Sequence, residues 1–128
     1  MKEKYIKNIN NKCTFSKNGF DVIIPSIKNN DISICFVETT KGRDNYCLLD
    51  KSTIFYYIID GKGYFEIDNE IVEVSNNDLI EISPKSKYSY SGHLKMLEIQ
   101  SSAFDESEVH EFPKEKYNGR KNDKSICS

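Results

Sequence analysis

The chain has 128 residues, and its 18 Lys and Arg against 20 Asp and Glu give a net charge of −2 at neutral pH. This length suits a single domain with one core, and the lack of any run of five basic residues argues against a nucleic-acid partner. Because no segment approaches 18 continuous apolar residues and the first residues contain no apolar leader, we expect a cytoplasmic protein that neither spans a membrane nor is secreted.

The first 30 residues are predicted to form an N-terminal arm with one edge strand, in "GFDVIIPS", which Pro25 stops. Residues 31–103 are predicted to form the core of the domain. Residues 104–128 are predicted to form a polar tail that packs on this core, with one short helical turn and a frayed end. Reduced thiols are the expected state of the cysteines, because they show neither a paired spacing nor a nearby histidine: Cys13, Cys35, Cys47 and Cys127.

Alternation of apolar and polar residues dominates from Ile32 onward and predicts antiparallel strands. Turns are predicted at Asn69-Glu70, as a two-residue hairpin, at Asp60–Gly63 and at Gly92-His93. The Asp60–Gly63 turn lacks the following helix that a phosphate loop requires. About eight short strands predict an all-β sandwich or small barrel: "DISICFVET", "NYCLLD", "STIFYYIID", "GYFEID", "IVEVS", "DLIEIS", "KYSYS" and "LKMLEIQ".

The stretch from Gly61 through "KGYFEID" and the later "NDLIEISPKSKYSYSG" resemble the two sequence motifs of the cupin superfamily. The resemblance implies a single-domain antiparallel jelly-roll barrel, in which three histidines and one glutamate hold a divalent metal. In this chain Ile54 stands at the glutamate position and Tyr88 at the last histidine position. The paired histidines fall on Cys47 and Leu49, or on Leu48 and Asp50. We therefore expect no metal and no other cofactor.

The C-terminal third, "LEIQSSAFDESEVHEFPKEKYNGR", is similar to the segment that closes the cupin domain of type II mannose-6-phosphate isomerases and the fused mannose-1-phosphate guanylyltransferases. The similarity implies a sugar-type ligand, such as a sugar phosphate or a nucleotide sugar, in bacterial polysaccharide metabolism. An isomerase or epimerase is the enzyme that it favours. A non-catalytic sensor or assembly module is the alternative, because a cupin that no longer catalyses a reaction would also be expected to lose its metal ligands.

Candidate site residues follow from strand parity together with the resemblance. Tyr56, Tyr88 and Tyr90 are predicted to face the interior, either as ligand-binding hydroxyls and rings or as plain core packing. Glu98 and Gln100 share one face of their strand, and the resemblance directs that face inward. Glu98 and Tyr88 are thus the predicted catalytic residues. The predicted ligand-binding residues are Tyr56, Tyr90, Gln100 and Cys47.

Other chemistry is less favoured by the sequence. Cys47 has no activating base nearby, which favours a buried inert thiol over a nucleophile. The two histidines, His93 and His110, lie in polar surroundings typical of the surface. A metal site of unusual composition would have to use Asp50, Cys47, His93 and Glu98. The apolar run "FYYII" predicts a homodimer, because half of its side chains would otherwise face solvent.

Overall fold

A computed structural model describes residues 15–114 of the chain. Within this range the chain is almost entirely antiparallel strand, as the alternation predicts, with one 3₁₀ turn at Glu106–Glu108. The strands are β1 (Phe15–Lys17), β2 (Phe20–Ile23), β3 (Ile32–Thr39), β4 (Asn45–Leu49), β5 (Thr53–Ile67), β6 (Glu70–Ser75), β7 (Leu79–Ile82), β8 (Tyr88–Ser101) and β9 (Val109–Pro113).

The long strands β5 and β8 pair along their whole lengths and form the spine of the fold. The first half of β5 and the second half of β8 lie in one sheet, with the order β1-β2-β3-β8-β5-β7. Their other halves lie in a second sheet, with the order β6-β5-β8-β4-β9. The two sheets face each other across one core, which is the architecture of a curled antiparallel sandwich.

Both spine strands bend where one sheet passes into the other. A bulge shifts the β5–β8 register between Ile58 and Asp60. Gly61 follows with φ at +118°, and a Cβ at this residue would lie 2.0 Å from the His93 carbonyl oxygen. Gly92 opposes this region with φ at +110°. Only glycine adopts such backbone at so close an approach without strain.

Two of the predicted turns are wrong, because the chain bends within a strand at these positions and does not reverse. The Asp60–Gly63 segment is not a hairpin turn, since β5 continues through it to Ile67. Gly92 and His93 likewise lie inside β8. Positive-φ glycine is compatible with either a reversal or a bulge, and the continuous pairing of β5 with β8 makes it a bulge here.

Smaller corrections concern the ends of elements. The β5–β6 hairpin turns on Asp68 and Asn69, one residue earlier than predicted, and both have positive φ, at 48° and 74°. That conformation is the one that suits a two-residue hairpin. The segment "GFDVIIPS" is not an edge strand, because β2 pairs with both β1 and β3. The beginning of the predicted arm and the predicted frayed end lie outside the described residues, as do Cys13 and Cys127.

The core lies between the two sheets and is rich in aromatic rings. Its fully buried side chains are Tyr56, Tyr88, Tyr90, Phe65, Ile58, Ile82, Leu94, Met96, Val37 and Val74. The inward face of β3 is the one that carries Cys35 and Val37, so Ile32, Ile34 and Phe36 lie on the outside. Among the described residues, no helix has the length and apolar character needed to cross a membrane.

Candidate functional site

The inward faces of β3, β8 and β5 bring the predicted catalytic carboxylate beside a tyrosine. In the register of these strands Glu98 lies opposite Cys35 on one side and opposite Tyr56 on the other. Gln100 lies two residues along, opposite Ile54. Side chains opposite each other in adjacent strands share a face. The face of Glu98, which the sequence left open, is thus the inward one.

Three tyrosines from both sheets meet next to Glu98. The Tyr56 and Tyr88 hydroxyls form a hydrogen bond of 2.9 Å to each other. The Tyr56 ring lies 5.8 Å from that of Tyr88 and 5.6 Å from that of Tyr90, between ring centroids. Phe65 closes the cluster at 5.2 Å from Tyr56. Burial raises the pKa of all three phenols, so they are neutral hydrogen-bonding groups at physiological pH.

Glu98 is the carboxylate best placed for proton transfer. Burial raises its pKa above the ordinary value, while the Cys35 thiol, the charge of Arg43 and the Tyr56 hydroxyl oppose the shift. The Cys35 sulfur lies 3.5 Å from a Glu98 carboxylate oxygen. Burial and the nearby Glu98 raise the pKa of this thiol as well, so it stays protonated and donates. A carboxyl with a raised pKa in a protected site suits general acid–base chemistry.

Two buried polar atoms near Glu98 have no hydrogen-bond partner in the described structure: the Tyr90 hydroxyl oxygen and the Gln100 side-chain nitrogen. Both residues are nearly fully enclosed, with 2% and 5% of their surface exposed. A buried polar group left unpaired costs about 1–3 kcal/mol. Such a pair of atoms is therefore typical of a site that a ligand or water completes.

Arg43 is the functional candidate that the sequence analysis missed. It lies in the loop between β3 and β4 and is only 7% exposed. Its guanidinium lies 4.7 Å from the centre of the Phe20 ring and 6.0 Å from that of Tyr90. Its Nε donates to the Asn45 side chain at 3.2 Å, and a terminal nitrogen lies 3.5 Å from Glu111. Arg43 thus places a permanent positive charge beside the unpaired Tyr90 hydroxyl.

The structure also locates Cys47 and the two histidines. Cys47 is a buried free thiol opposite Tyr88. Burial raises its pKa, which agrees with an inert thiol rather than a nucleophile. His93 is exposed, and His110 lies on β9 with its Nε2 2.9 Å from an Asp50 carboxylate oxygen.

The cupin metal positions do not fit a metal in this chain. Ile54 and Tyr88 both face the interior, but an isoleucine cannot coordinate and a neutral phenol is a poor ligand. Within residues 15–114 no three His, Cys, Asp or Glu side chains gather into a group that could hold a metal ion. The alternative metal set is not assembled either, since Asp50 pairs with His110 while Glu98 lies against Cys35.

An open depression of about 260 Å³ lies on the outer face of the second sheet. Tyr64, Glu66, Ser91 and Lys114 contribute to its lining, and so does Tyr90 of the interior cluster. Tyr64 and Phe65 point to opposite faces of β5, so the depression lies on the other side of this sheet from the Phe65 ring but reaches Tyr90.

Comparison of this chain with solved structures identifies its fold. Streptomyces PAC13, in a tyrosine variant bound to uridine, is 21% identical over 87% of this chain and 93% of its own, with a TM-score of 0.80. KdgF from Halomonas is 13% identical over 83% and 99% of the two chains, with a TM-score of 0.68. An RmlC-like cupin from Shewanella frigidimarina is 14% identical over 83% and 96%, with a TM-score of 0.65. The chain has the cupin fold.

The comparisons of sequence found nothing for this chain. No protein-family model matches it, and no curated protein matches it either. Pac13 is described as a unique nucleoside dehydratase, and its variants with a replaced histidine or with either of two replaced tyrosines are each seen with uridine. The likeness to mannose-phosphate isomerases stays a prediction from the sequence.

Proposed function

We propose that this cupin binds a small sugar-containing ligand, such as a sugar phosphate, a nucleotide sugar or a nucleoside, between its two sheets, without using the cupin metal site. The observation that carries the proposal is the inward-facing carboxyl of Glu98, whose pKa burial raises, in an interior that also holds two unpaired buried polar atoms, on Tyr90 and Gln100. The nucleoside complexes of a structural neighbour support the ligand class. Bacterial polysaccharide or sugar metabolism in the cytoplasm is the proposed setting.

The reaction that suits this geometry begins with removal of a proton from the carbon next to a carbonyl group. Glu98 in its ionised form takes this proton, and the electron pair of the broken C–H bond moves onto the carbonyl oxygen. The Tyr90 hydroxyl and the Gln100 amide donate hydrogen bonds to that oxygen, and the charge of Arg43 stabilises it. The hydroxyl proton on the carbon that lost its hydrogen then passes to this oxygen, and Glu98 returns its proton to the former carbonyl carbon, which completes an isomerisation. An epimerisation requires a second acid, the predicted role of Tyr88, to deliver a proton to the opposite face of the same carbon, while Glu98 keeps the proton that it removed.

Cys35 and Tyr56 act through Glu98 in this scheme. The thiol and the hydroxyl lie on its two sides and donate to the carboxylate, which keeps its pKa from rising further. They are positioning residues, since they hold the base in place and adjust its proton affinity.

A ligand screen tests binding. A ligand at about 100 times its dissociation constant adds about 2.7 kcal/mol to the stability of the folded protein. Thermal unfolding should therefore shift upward with at least one sugar phosphate, nucleotide sugar or nucleoside. Tyr90→Phe and Gln100→Leu should reduce the shift, whereas Glu81→Gln on the exposed outer face of β7 should leave it unchanged.

Isotope exchange then tests the chemistry. The bound ligand should acquire deuterium from D₂O at the carbon next to its carbonyl group, as read by mass spectrometry. Glu98→Gln should slow this exchange by about 10²-fold or more while ligand binding persists. Equal exchange rates in the wild type and in Glu98→Gln would refute the role of Glu98.

A non-catalytic sensor or assembly module is the second candidate. The close ring packing of Tyr56, Tyr88, Tyr90 and Phe65 favours it, because these rings occupy much of the space between the sheets. This alternative predicts a ligand that shifts thermal unfolding yet undergoes no deuterium exchange or turnover.

A further inference from the structure

The open depression on the outer face of the second sheet is built from side chains that the interior chemistry does not use. On this face the strands β6, β5 and β8 place two rows of side chains in register: Ile71, Glu66 and Ser89 in one row, and Glu73, Tyr64 and Ser91 in the other. All of these except Glu73 line the depression, and Lys114, which follows β9, lines it as well. We call it the outer depression.

Two charged side chains of the outer depression are held in place by neighbouring groups. The Tyr46 hydroxyl donates a hydrogen bond of 2.9 Å to Oε1 of Glu66. Nζ of Lys114 donates to the Arg43 carbonyl oxygen at 2.9 Å and lies 5.7 Å from the centre of the Tyr46 ring. Oε2 of Glu66 has no hydrogen-bond partner among residues 15–114. Since an ammonium has three N–H donors, both side chains can form further hydrogen bonds.

Tyr64 presents an open aromatic surface beside these groups. It is 49% exposed, and in the described range no other aromatic ring or cation packs against its ring. Its neighbour in register, Ser91, is exposed, whereas Ser89 is buried and its hydroxyl donates to the Asn45 carbonyl oxygen at 2.9 Å. An aromatic ring next to a carboxylate, an ammonium and a hydroxyl suits a sugar, which has an apolar C–H face and a polar edge.

We propose that the outer depression binds one ring of a neutral saccharide. The C–H face of the sugar packs on Tyr64, one of its hydroxyls donates to Oε2 of Glu66, and another accepts from Lys114. Tyr64 and Glu66 lie two residues apart on β5, about 7 Å, so a ring that packs on the tyrosine brings its edge hydroxyls to the carboxylate. Because the depression is open, this ring can belong to a longer chain.

Charge and size favour a neutral sugar over other ligands. Glu66 and Glu73 on this face are balanced by Lys114 and by Lys87, whose Nζ lies 4.9 Å from the centre of the Tyr46 ring. A phosphate or sulfate would meet both carboxylates as well as the lysines, and like charges repel. The volume of about 260 Å³ lies below the range of about 300–1,000 Å³ for drug-sized ligands, which suits a single sugar ring.

Titrations followed by two-dimensional NMR of the ¹⁵N-labelled protein test the proposal. The probes are the methyl glycosides of glucose, galactose, mannose and N-acetylglucosamine. With few contacts on an open surface, the expected dissociation constant is on the order of millimolar, so each probe is added up to about 50 mM. The backbone amides of Tyr64, Glu66, Ser89 and Ser91 should shift with at least one glycoside.

Matched variants identify the groups that bind. Tyr64→Ala should weaken binding of that glycoside by about tenfold, because the ring that carries the sugar is lost. Its control is Tyr57→Ala, which removes an exposed tyrosine of the same strand in the first sheet and should leave binding unchanged. Glu66→Leu should weaken binding by a similar factor, whereas Glu81→Leu, on the exposed face of β7, should not. Circular dichroism confirms that each variant is folded.

Salt and the location of the shifts supply the remaining outcomes. Binding of a neutral sugar should change by less than about twofold between roughly 0.05 and 0.5 M NaCl, because little net charge is involved. The proposal would be overturned if none of the four glycosides shifted these amides, or if the shifts were confined to interior residues such as Cys35, Glu98 and Gln100. Equal weakening by Tyr57→Ala and Tyr64→Ala would also overturn it. So would tighter, salt-sensitive binding of glucose 6-phosphate at the same amides, which would indicate an anion site.

Discussion

Glu108 is a buried carboxylate whose removal should lower stability more than that of any exposed acidic residue. It is 2% exposed and lies at the end of the 3₁₀ turn. Its Oε1 accepts hydrogen bonds from the backbone amides of Lys51 at 2.7 Å and Ser52 at 3.1 Å. Its Oε2 accepts from the Ser52 hydroxyl at 2.6 Å. These bonds join the C-terminal segment to the start of β5.

The expected loss of stability follows from the hydrogen-bond donors that the removal of Glu108 leaves without an acceptor. Glu108→Ala leaves two backbone amides without an acceptor, whereas the Ser52 hydroxyl retains the Ser102 carbonyl oxygen at 3.2 Å. The Ser52 amide is buried and the Lys51 amide only partly so; at about 1–3 kcal/mol for an unsatisfied buried donor and less for the second, the free energy of unfolding should fall by about 2–4 kcal/mol. For a chain of this size the midpoint of thermal unfolding should drop by roughly 10 °C.

The loss should depend on pH in a defined direction. Burial raises the pKa of Glu108, but the hydrogen bonds from Ser52 and Lys51 outweigh it, so the pKa lies below its ordinary value of 4.5. A carboxyl with a lowered pKa stabilises the folded state above its unfolded pKa, and this stability is lost as the pH falls through the folded value. The gap between wild type and Glu108→Ala should be full at about pH 7 and narrow below about pH 4.5.

Urea unfolding followed by circular dichroism at several pH values measures both effects. Glu106→Ala is the matched control, since Glu106 is an exposed glutamate in the same turn and should cost less than about 0.5 kcal/mol. A loss below about 0.5 kcal/mol in Glu108→Ala, or a gap that widens as the pH falls, would refute this reasoning.

Three further predictions concern the bend and the interior. Gly61→Ala should cost about 3 kcal/mol or more in urea unfolding, because its Cβ would meet the His93 carbonyl oxygen at 2.0 Å; a cost below about 1 kcal/mol would contradict the bend. Tyr56→Phe should cost about 1–3 kcal/mol by thermal unfolding, because the Tyr88 hydroxyl is left unpaired, and an unchanged midpoint would contradict the buried pair. Glu98→Gln should gain stability relative to the wild type as the pH rises above 4.5. A carboxyl whose pKa is higher in the folded state than in the unfolded state makes the wild type less stable as the pH rises, and glutamine does not titrate. Equal changes in the denaturant midpoints of both proteins between pH 4 and pH 8 would count against this prediction.

Alternation along the strands was sufficient to predict much of the interior. Tyr56, Tyr88 and Tyr90 face inward as predicted, because side chains in a strand alternate strictly between its two faces. The same rule could not place Glu98, since two faces of one strand are equivalent until the partner strands are known. The pairing of Glu98 with Cys35, 63 residues away, decides its direction.

Arg43 shows why other parts of the site could not be predicted. It lies in a loop with no periodic pattern, and charged loop residues are normally exposed. Its burial depends on the ring of Phe20, which reaches it through the β2–β3 pairing. The predicted hairpin turn at Asp60–Gly63 is a bend within β5 for a related reason. A glycine with positive φ occurs both in turns and in bulges, and only the strand with which it pairs distinguishes them.

The bend in β5 and β8 has a mechanical consequence for access to the interior. Because the same two strands build both sheets, the sheets stay joined along the bend. Straightening the bend would keep the β5–β8 ladder intact but would expose the buried rings and aliphatic side chains between the sheets to water. Entry and release of a ligand therefore require movement of the loops at the ends of the sandwich, among them the β3–β4 loop that carries Arg43, while the ladder stays intact. Amides of β5 and β8 should accordingly exchange with solvent together, in the slowest class of the described residues.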